Sequence, residues 1–590
     1  MYLPDSAYLQ ALENRIEVTD VPFSDRGSRL LLFRDRQQPS RFVIKLAERL
    51  TALQPGLSTY RQRPPYITNL HLVDAAGQPV DFTLTTYPHA LVMQTLIGAF
   101  TLCFQDRHTL ALHVPVGTIG GLRFTLHPHL MYPDEHGGQL KSIRNCAYST
   151  NGDIVLNRIN DHNGYDVTCV IEGGADAAVI LNIQPGAELS RQVLPFRQTL
   201  RAAEERWDSW FRRPPAVDAS YRGQYYYAWW VLGNNILAPQ GLFKRECVVP
   251  SKAHYIGAWQ WDNYFHALAL RYSDPGLAAD QLYFMLDHQL PDGMIPDAIY
   301  DEGAITHLEV PVAAAVTKPP IMAWIALHLF ERTGDLDLLR SIYEPLVRLN
   351  SWWFGMNDDD ADGIVQYRHP FSSGLDDSPL WDGGMPVEAV DINTYLCLQM
   401  EHLARIATLI GRERDAAMWE LKRRALAKRM VEHFYDQARG LFWSSYQHQP
   451  IPVLTPFSLY PLWTGLLPPE INQRLVQHLT DPAQFWTAFP LPTVAIGDPT
   501  FNANQMWRGP VWINVNYIFI EALRRTGFRS EALQLAERTM ALVQGQNDIY
   551  EYYHPLTGQA PPKAAPMFGW SAACYIDLAI QLSQGAFERP

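Results

Sequence analysis

The sequence predicts a mainly α protein, an antiparallel β-sandwich domain followed by an (α/α)6 barrel. Three observations predict it. Up to about residue 185, apolar residues alternate with polar or small ones between glycine-rich turns. From residue 218 on, the apolar period is helical through about a dozen segments. Very short links such as Ser273-Asp274-Pro275, Gly334-Asp335, Gly411-Arg412 and Gly527-Phe528 join these segments, which makes them antiparallel hairpins.

In residues 1–185, Phe100, Leu102 and Phe104 form one alternating run, Leu110, Leu112 and Val114 a second, and Leu122, Phe124 and Leu126 a third. Turns are expected at Gly120-Gly121, His136-Gly137-Gly138, Asn151-Gly152-Asp153 and Gly173-Gly174. Residues 186–217 read as a helical linker. Within it 196–211 form one helix, with Trp207 and Trp210 on one face, and Pro214-Pro215 ends it. Residues 218–590 hold the barrel, with helices expected at 219–237, 262–272, 275–289, 319–333, 335–356, 391–410, 412–437, 468–478, 511–526, 528–544 and 569–583. No strict repeat runs through them, which argues against a solenoid.

The 590 residues exceed one ordinary core, and 47 % hydrophobic with 18 % charged residues is a globular balance. The net charge is −13 and no Lys/Arg cluster stands out, so a nucleic-acid partner is not expected. The most apolar stretch, Ile321–Phe330, is ten residues, too short to span a membrane. The start, Met1-Tyr-Leu-Pro-Asp-Ser, lacks the basic head and apolar core of a secretory signal. Six cysteines at 103, 146, 169, 247, 397 and 574 form no CxxC pair, so free thiols and a cytoplasmic location are expected. Oligomeric state leaves no mark on the sequence.

Long segments rich in glycine and proline separate the hairpins, at 239–261, 290–318, 357–390, 480–510 and 546–568. Loops of this length in a compact domain are usually functional. They carry Trp259, Trp261, Asp262 and Phe265; then Asp292-Gly293 and Lys318; then Ser373-Gly374-Leu-Asp376-Asp377-Ser378-Pro379-Leu-Trp381-Asp382; then Trp507-Arg508-Gly509-Pro510-Val-Trp512; then Glu551-Tyr-Tyr553 and Phe568-Gly569-Trp570. Each loop pairs indole rings with a carboxylate, amide or guanidinium. A sugar needs that combination, because its C–H faces stack on Trp while its hydroxyls take fixed donors and acceptors. A single Trp of this kind serves equally well to pin its loop; five such loops together point to a small-molecule carbohydrate ligand. Glycoside cleavage needs two carboxyl groups, one protonated and one ionised. The residues alone do not choose two from 61 acids, and Gly374-Leu-Asp376-Asp377 also reads as a plain turn.

These motifs resemble glycoside hydrolase family 63 and, more distantly, the trehalases. The family pattern W-x-W-D-x-x-F, S-G-x-D-[DN]-S-P, W-R-G-P-x-W and E-x-Y-x-P-x-T-G followed by F-x-W stands here in that order across 259–570. The resemblance implies Asp376 as catalytic acid, Glu551 as catalytic base, and Trp261 and Asp262 as contacts to the non-reducing sugar. It sets Arg508, Trp512 and Trp570 near that pocket. Trehalases carry Glu two residues before the glycine of the acid loop, where this chain has Ser372. The resemblance further implies inversion, with carboxyls roughly 6.5–9.5 Å apart to admit a water. The expected substrate is a small soluble α-glucoside, or an α-mannoside, with Lys318 or Arg508 able to meet a carboxylated aglycone such as glycerate. Asp376 is expected to have a raised pKa, with Trp381 as an apolar neighbour.

Other motifs carry less. Asp358-x-Asp360-x-Asp362-Gly363 copies the opening of a calcium loop, but the twelfth position is His369 rather than Glu. An acidic solvated turn is the expectation, with a structural Ca2+ as the alternative; no cofactor or catalytic metal is expected. His127-Pro-His129 lacks a third ligand, Gly569-Trp-Ser571-Ala-Ala573 lacks the last glycine of a serine-hydrolase elbow, and glycines 117, 120 and 121 lack dinucleotide spacing. The competing functions are an α-glucoside phosphorylase with the same two domains, a non-catalytic carbohydrate-binding protein, and a polysaccharide lyase. The intact Glu551 motif argues against the first, the presence of both carboxylates against the second, and the lack of a basic groove against the third.

Overall fold

A computed structural model describes residues 4–48, 64–127, 130–141, 144–161, 164–184 and 189–587. Pro128 and His129 of the His-Pro-His motif, and residues 186–188 of the expected linker, lie outside them. The chain forms two compact units: Met1–Pro214 with Trp229–Ala238 and Lys252–Ile256, and the remainder through Pro590.

The first unit is built on two antiparallel sheets. With strands numbered in chain order, one runs β1 (Leu30–Arg34), β2 (Phe42–Leu46), β3 (Ile67–Asp74), β8 (Ile119–Leu126), β13 (Tyr165–Glu172), β12 (Ile154–Asp161). The other runs β4 (Thr83–Thr86), β5 (Ala90–Gln94), β6 (Ala99–Asp106), β7 (Thr109–His113), β14 (Ala178–Gln184), β11 (Asn145–Thr150), β10 (Gly137–Lys141), β9 (Leu130–Asp134). The alternation of the sequence sorts the faces. Leu72 and Leu122 of one sheet and Leu102, Leu112 and Leu181 of the other line a shared apolar interior. The opposite face of the larger sheet is also buried. There Ala90, Cys103, Ala111 and Ala178 are small, and Phe196 and Ala203 of helix α2 (Phe196–Arg212) fill the space above them. The helix expected in the linker thus packs on the sheet of the first unit; α1 is the short Ala7–Ala11.

Two turn expectations are corrected. Gly120-Gly121 lies inside β8, and a Cβ on Gly121 would stand 1.9 Å from the Cys169 carbonyl of β13. Close strand approach, not a turn, requires that glycine. Likewise Gly137 and Gly138 begin β10 rather than sit in the turn before it.

The second unit is helical: α4 (Gln260–Leu270), α5 (Pro275–Leu286), α6 (Met322–Thr333), α7 (Leu336–Met356), α8 (Val390–Leu409), α9 (Glu413–Phe434), a 3-10 helix (Pro456–Thr464), α10 (Pro469–Leu479), α11 (Ile513–Arg525), α12 (Arg529–Gln544) and α13 (Gly569–Ser583). Helix α3 (Arg222–Asn234) divides between the two units. The short links are cap signals. Asp274 accepts from Leu277 N at the start of α5, and Asp335 accepts from Asp337 N and Leu338 N at the start of α7. Gly334, at φ 68°, ends α6 in the left-handed region. The contacts close a ring: α4 packs on α6, α6 on α8, α8 on the 3-10 helix, that on α11, α11 on α13, and α13 on α4. The others lie against the ring, α5 on α4 and α6, α7 on α6 and α8, α9 on α8, α10 on the 3-10 helix, and α12 on α11 and α13. Position in the ring accounts for composition: every residue of α4 is buried. The 3-10 member was not expected, because Pro456 and Pro461 break the α-helical pattern. No helix among the described residues is long and apolar enough to cross a membrane.

Candidate active site

The Asp376 loop is held from both sides. Pro370–Ser373 forms a 3-10 turn, with Phe371 N donating to His369 Nδ1 at 3.1 Å. Gly374 follows at φ 75°, and a Cβ there would stand 2.1 Å from the Trp261 ring. The indole therefore lies directly on the backbone of the acid loop, which only glycine permits. Beyond Asp376, Ser378 caps a second 3-10 turn, and Trp381 Nε1 donates back to Leu375 O at 2.7 Å. Asp376, Trp381 and Arg508 line one cleft of about 230 Å³.

Asp377 ties this loop to the next. Its carboxylate accepts from Trp507 N at 2.8 Å and Gln505 Nε2 at 3.1 Å, and its carbonyl accepts from Arg508 Nε at 2.9 Å. The Arg508 guanidinium takes Asp382 in a two-pronged pair, Nη1 to Oδ2 at 3.0 Å and Nη2 to Oδ1. Gly509 passes so close to Asn502 that a Cβ would stand 2.6 Å from its carbonyl.

The rings of separate loops meet. Trp507 and Trp512 stack at 3.7 Å, Trp261 lies 5.2 Å from Trp570 and 6.3 Å from Trp507, and Trp512 lies 5.4 Å from Trp570. Phe265 packs under Trp570 at 6.1 Å. Tyr552, beside Glu551, reaches Trp512 at 5.0 Å. Trp259 instead meets Tyr300 edge-on at 5.8 Å.

Glu551 is 3 % exposed; its Oε2 accepts from Ala565 N at 3.2 Å, and its own N–H donates to Ala565 O at 2.9 Å. Lys318 is buried, with Nζ 2.6 Å from Asp297 Oδ1, 4.0 Å from Asp376 Oδ1, and donating to Phe371 O. Burial alone would pull the Lys318 ammonium down, but Asp297, Asp376 and Asp262 together hold it above its ordinary value. One ammonium does not balance so many carboxyls. Burial pushes Asp376 up to about 7, with Lys318 opposing and Asp297 and Asp377 adding to the rise. Burial also raises Asp262 well above the carboxylate range; Lys318 opposes it and Glu551 and Asp297 add to it. Asp376 Oδ1 is buried with no hydrogen bond among the described residues, while its side chain stays 29 % exposed. A carboxyl whose pKa is pushed up to about 7 thus opens onto the cleft, so a substantial fraction holds the proton near neutrality, as a proton donor needs.

Sequence reasoning missed Asp297, and it placed Asp377 and Asp382 in the acid loop without giving either a role. Asp297 directly follows Ile295-Pro296, yet nothing in its spacing announces Lys318 as its partner. The acidic turn is present: carboxylates of Asp358, Asp360 and Asp362 come within 4.8 Å of one another, and His433 and His448 stand beside Glu388 next to them.

Residues 255–571 match the mannosylglycerate hydrolase MGH1-like glycoside hydrolase domain. The chain belongs to glycoside hydrolase family 63. It is 27 % identical over 399 residues to a mannosylglycerate hydrolase of Thermus thermophilus, covering 55 % of this chain and 94 % of that protein. It is 21 % identical over 416 residues to a glucosylglycerate hydrolase of Mycolicibacterium hassiacum, covering 55 % and 92 %. The crystal structure of the family 63 mannosylglycerate hydrolase from Thermus thermophilus in complex with glucose aligns with TM-score 0.53 at 25 % identity, over 60 % of this chain and 99 % of that one. A bacterial glucoamylase complexed with acarbose aligns over 96 % of this chain and 93 % of its own at TM-score 0.57 and 11 % identity, a likeness of fold. The chain is accordingly a glycoside hydrolase with an antiparallel β domain before a helical one.

Proposed function

We propose that this family 63 enzyme removes a terminal α-linked glucose, or mannose, from a small soluble glycoside with inversion at the anomeric carbon. Asp376 donates a proton to the glycosidic oxygen, and Glu551 takes a proton from the water that attacks the opposite face. The observation that carries this reading is the Asp376 carboxyl, pushed up to about 7 by burial while opening onto the cleft. Trp261 and Asp262 contact the sugar, with Trp507, Trp512 and Trp570 behind them. Trp381 and Arg508 face the leaving group. The closed ring of α4, α6, α8, the 3-10 helix, α11 and α13, with its outer layer, supports an (α/α)6 barrel. The mannosylglycerate and glucosylglycerate hydrolases among its relatives support a glycerate glycoside as the class to try first. No cofactor enters the mechanism, and the six buried thiols support a cytoplasmic location.

Proton NMR of fresh digests tests it, with kojibiose, nigerose, maltose, isomaltose, trehalose, glucosylglycerate and mannosylglycerate as the panel. The β-anomer is expected first, and Asp376→Ala and Glu551→Ala are each expected to abolish release. Early α-anomer, full activity in either variant, or release only with phosphate overturns the reading.

A further inference from the structure

The inner helices have two ends. They start at the loops described above: Trp261 and Asp262 open α4, Trp512 precedes α11, and Trp570 opens α13. Their far ends surround a separate cavity of about 560 Å³. Arg271 follows α4, His328 and Glu331 lie in the second half of α6, and Arg405 lies in the last turns of α8. Arg524 and Arg525 end α11. The cavity shares no lining residue with the Asp376 cleft; Trp324, in the first turn of α6, is its member nearest the loop end, 6.1 Å from Phe265.

Its charge runs against that of the chain, which carries 61 acids to 48 bases. Five arginines line it, at 271, 405, 524, 525 and 529, against Glu331 and Glu521. Among the described residues Asp577 pairs with Arg271 and Glu401 with Arg525. Fastening helix ends accounts for part of this: Arg271 donates to Leu268 O, and Arg524 to Ala586 O at 3.3 Å. It does not account for Arg405 and Arg525. Among the described residues, each has a single protein partner on one terminal nitrogen, Glu331 for Arg405 and Glu401 for Arg525. Arg525 Nε lies against Gly465, which leaves its Nη1 without a hydrogen-bond partner among the described residues; Arg405 keeps Nε and Nη1 in that state, N–H groups able to meet an oxyanion. His402, 4 % exposed, lies on the wall with its Nδ1 making no well-formed hydrogen bond. Beside these groups stand the rings of Trp324 and Trp463, 5.4 Å apart and perpendicular, and Phe587 under Arg524. The volume lies within the range of about 300–1,000 Å³ typical of small-molecule sites and exceeds the need of a bare ion.

We propose that this cavity is a second binding site, for a monosaccharide-sized molecule carrying an oxyanion, its charge held by Arg405 and Arg525 and its C–H face against Trp324 and Trp463. The site is independent of the hydrolytic reading and stands whether or not Asp376 is the proton donor. The oxyanion is a phosphoryl group or a carboxylate.

Isothermal titration calorimetry of the full chain tests it with glucose 6-phosphate, D-gluconate, inorganic phosphate and glucose. One equivalent of glucose 6-phosphate or gluconate is expected to bind, and the tighter of the two names the oxyanion. Arg405→Ala and Arg525→Ala are each expected to weaken it at least about tenfold, and Asp376→Asn to leave it unchanged. Arg405 is 52 % exposed, so its variant is expected to fold, with a melting curve as check. The absence of saturable binding by either sugar acid, or binding that survives both arginine substitutions, overturns the site. Inorganic phosphate binding as tightly as glucose 6-phosphate overturns the sugar-facing wall.

Discussion

Replacing Lys318 by Met is expected to move the alkaline limb of activity upward. Its ammonium lies 4.0 Å from Asp376 Oδ1 and favours the ionised carboxylate. At that distance, with an effective dielectric near 20, the attraction is about 4 kcal/mol, equivalent to about 3 pH units. The open side of the cleft screens part of this, so a rise of about 1 to 3 pH units is expected. The sign follows from the proposed role. Asp376 acts protonated, so the rate falls as pH rises through about 7 in the parent enzyme. Without the ammonium the proton is held to higher pH, and the fall comes later. Asp297 loses its partner at 2.6 Å in the same variant. If it stays ionised its upward push on Asp376 is the same as in the parent, and if it takes a proton it removes only a smaller contribution than that of Lys318. Breaking the buried pair costs about 3–5 kcal/mol of stability, so kcat/KM against pH is measured at reduced temperature with a melting curve alongside. Lys318→Arg, which keeps the charge, serves as control. An alkaline limb that stays in place in Lys318→Met would refute Asp376 as the group behind it.

Four further outcomes follow from the same geometry. Glu551→Gln keeps an oxygen for the Ala565 N–H, so it is expected to melt like the parent while kcat falls at least about a hundredfold. Gly374→Ala puts a methyl into the Trp261 ring at positive φ; a loss of about 1–3 kcal/mol in denaturant unfolding is expected, with a higher KM as the indole shifts. Arg271 and its hydrogen-bonding neighbours hold Asp577 below the usual carboxylate range against the pull of burial. Its contribution is therefore present above the unfolded carboxylate pKa and lost as pH falls through the lower folded one, and Asp577→Asn is expected to cost about 3–5 kcal/mol at neutral pH and progressively less in acid. A chelator is expected to leave both Tm and kcat unchanged, since Glu388 already holds His433 above its ordinary value and so offsets part of the acidic charge there; a drop in Tm would assign a cation to the acidic turn instead.

The sequence reading and the structure part company where contacts depend on ring closure. The loop motifs were legible because each packs its chemistry into a few consecutive residues, as Ser373 to Asp382 do. The meeting of Trp261, Trp507, Trp512 and Trp570 was foreseeable once those loops were expected to gather. Sandwich strands were legible through alternation, but the outer face of the larger sheet was not. Ala90, Cys103, Ala111 and Ala178 are small because α2 lies on them, and a small residue alone announces no partner. The buried Lys318–Asp297 pair is likewise silent, two ordinary ionisable residues 21 positions apart in one loop.

The far-end cavity extends the same reasoning. Arg271, Arg405, Arg524, Arg525 and Arg529 come from three inner helices and the start of α12. Along the chain each reads as a favourable cation near a helix end, or as an ordinary surface charge. Only the closed ring turns them into one wall, and only their incomplete pairing separates that wall from a set of helix caps. If Arg405 and Arg525 served the fold alone, their forks would be expected to be filled by carbonyls, as Arg271 and Arg524 are in part. Arg525 shares Glu401 with Arg423, which Glu420 also pairs, and Arg405 has Glu331 as its carboxylate partner. The N–H groups that Arg405 and Arg525 leave without a partner among the described residues are what an incoming oxyanion would take.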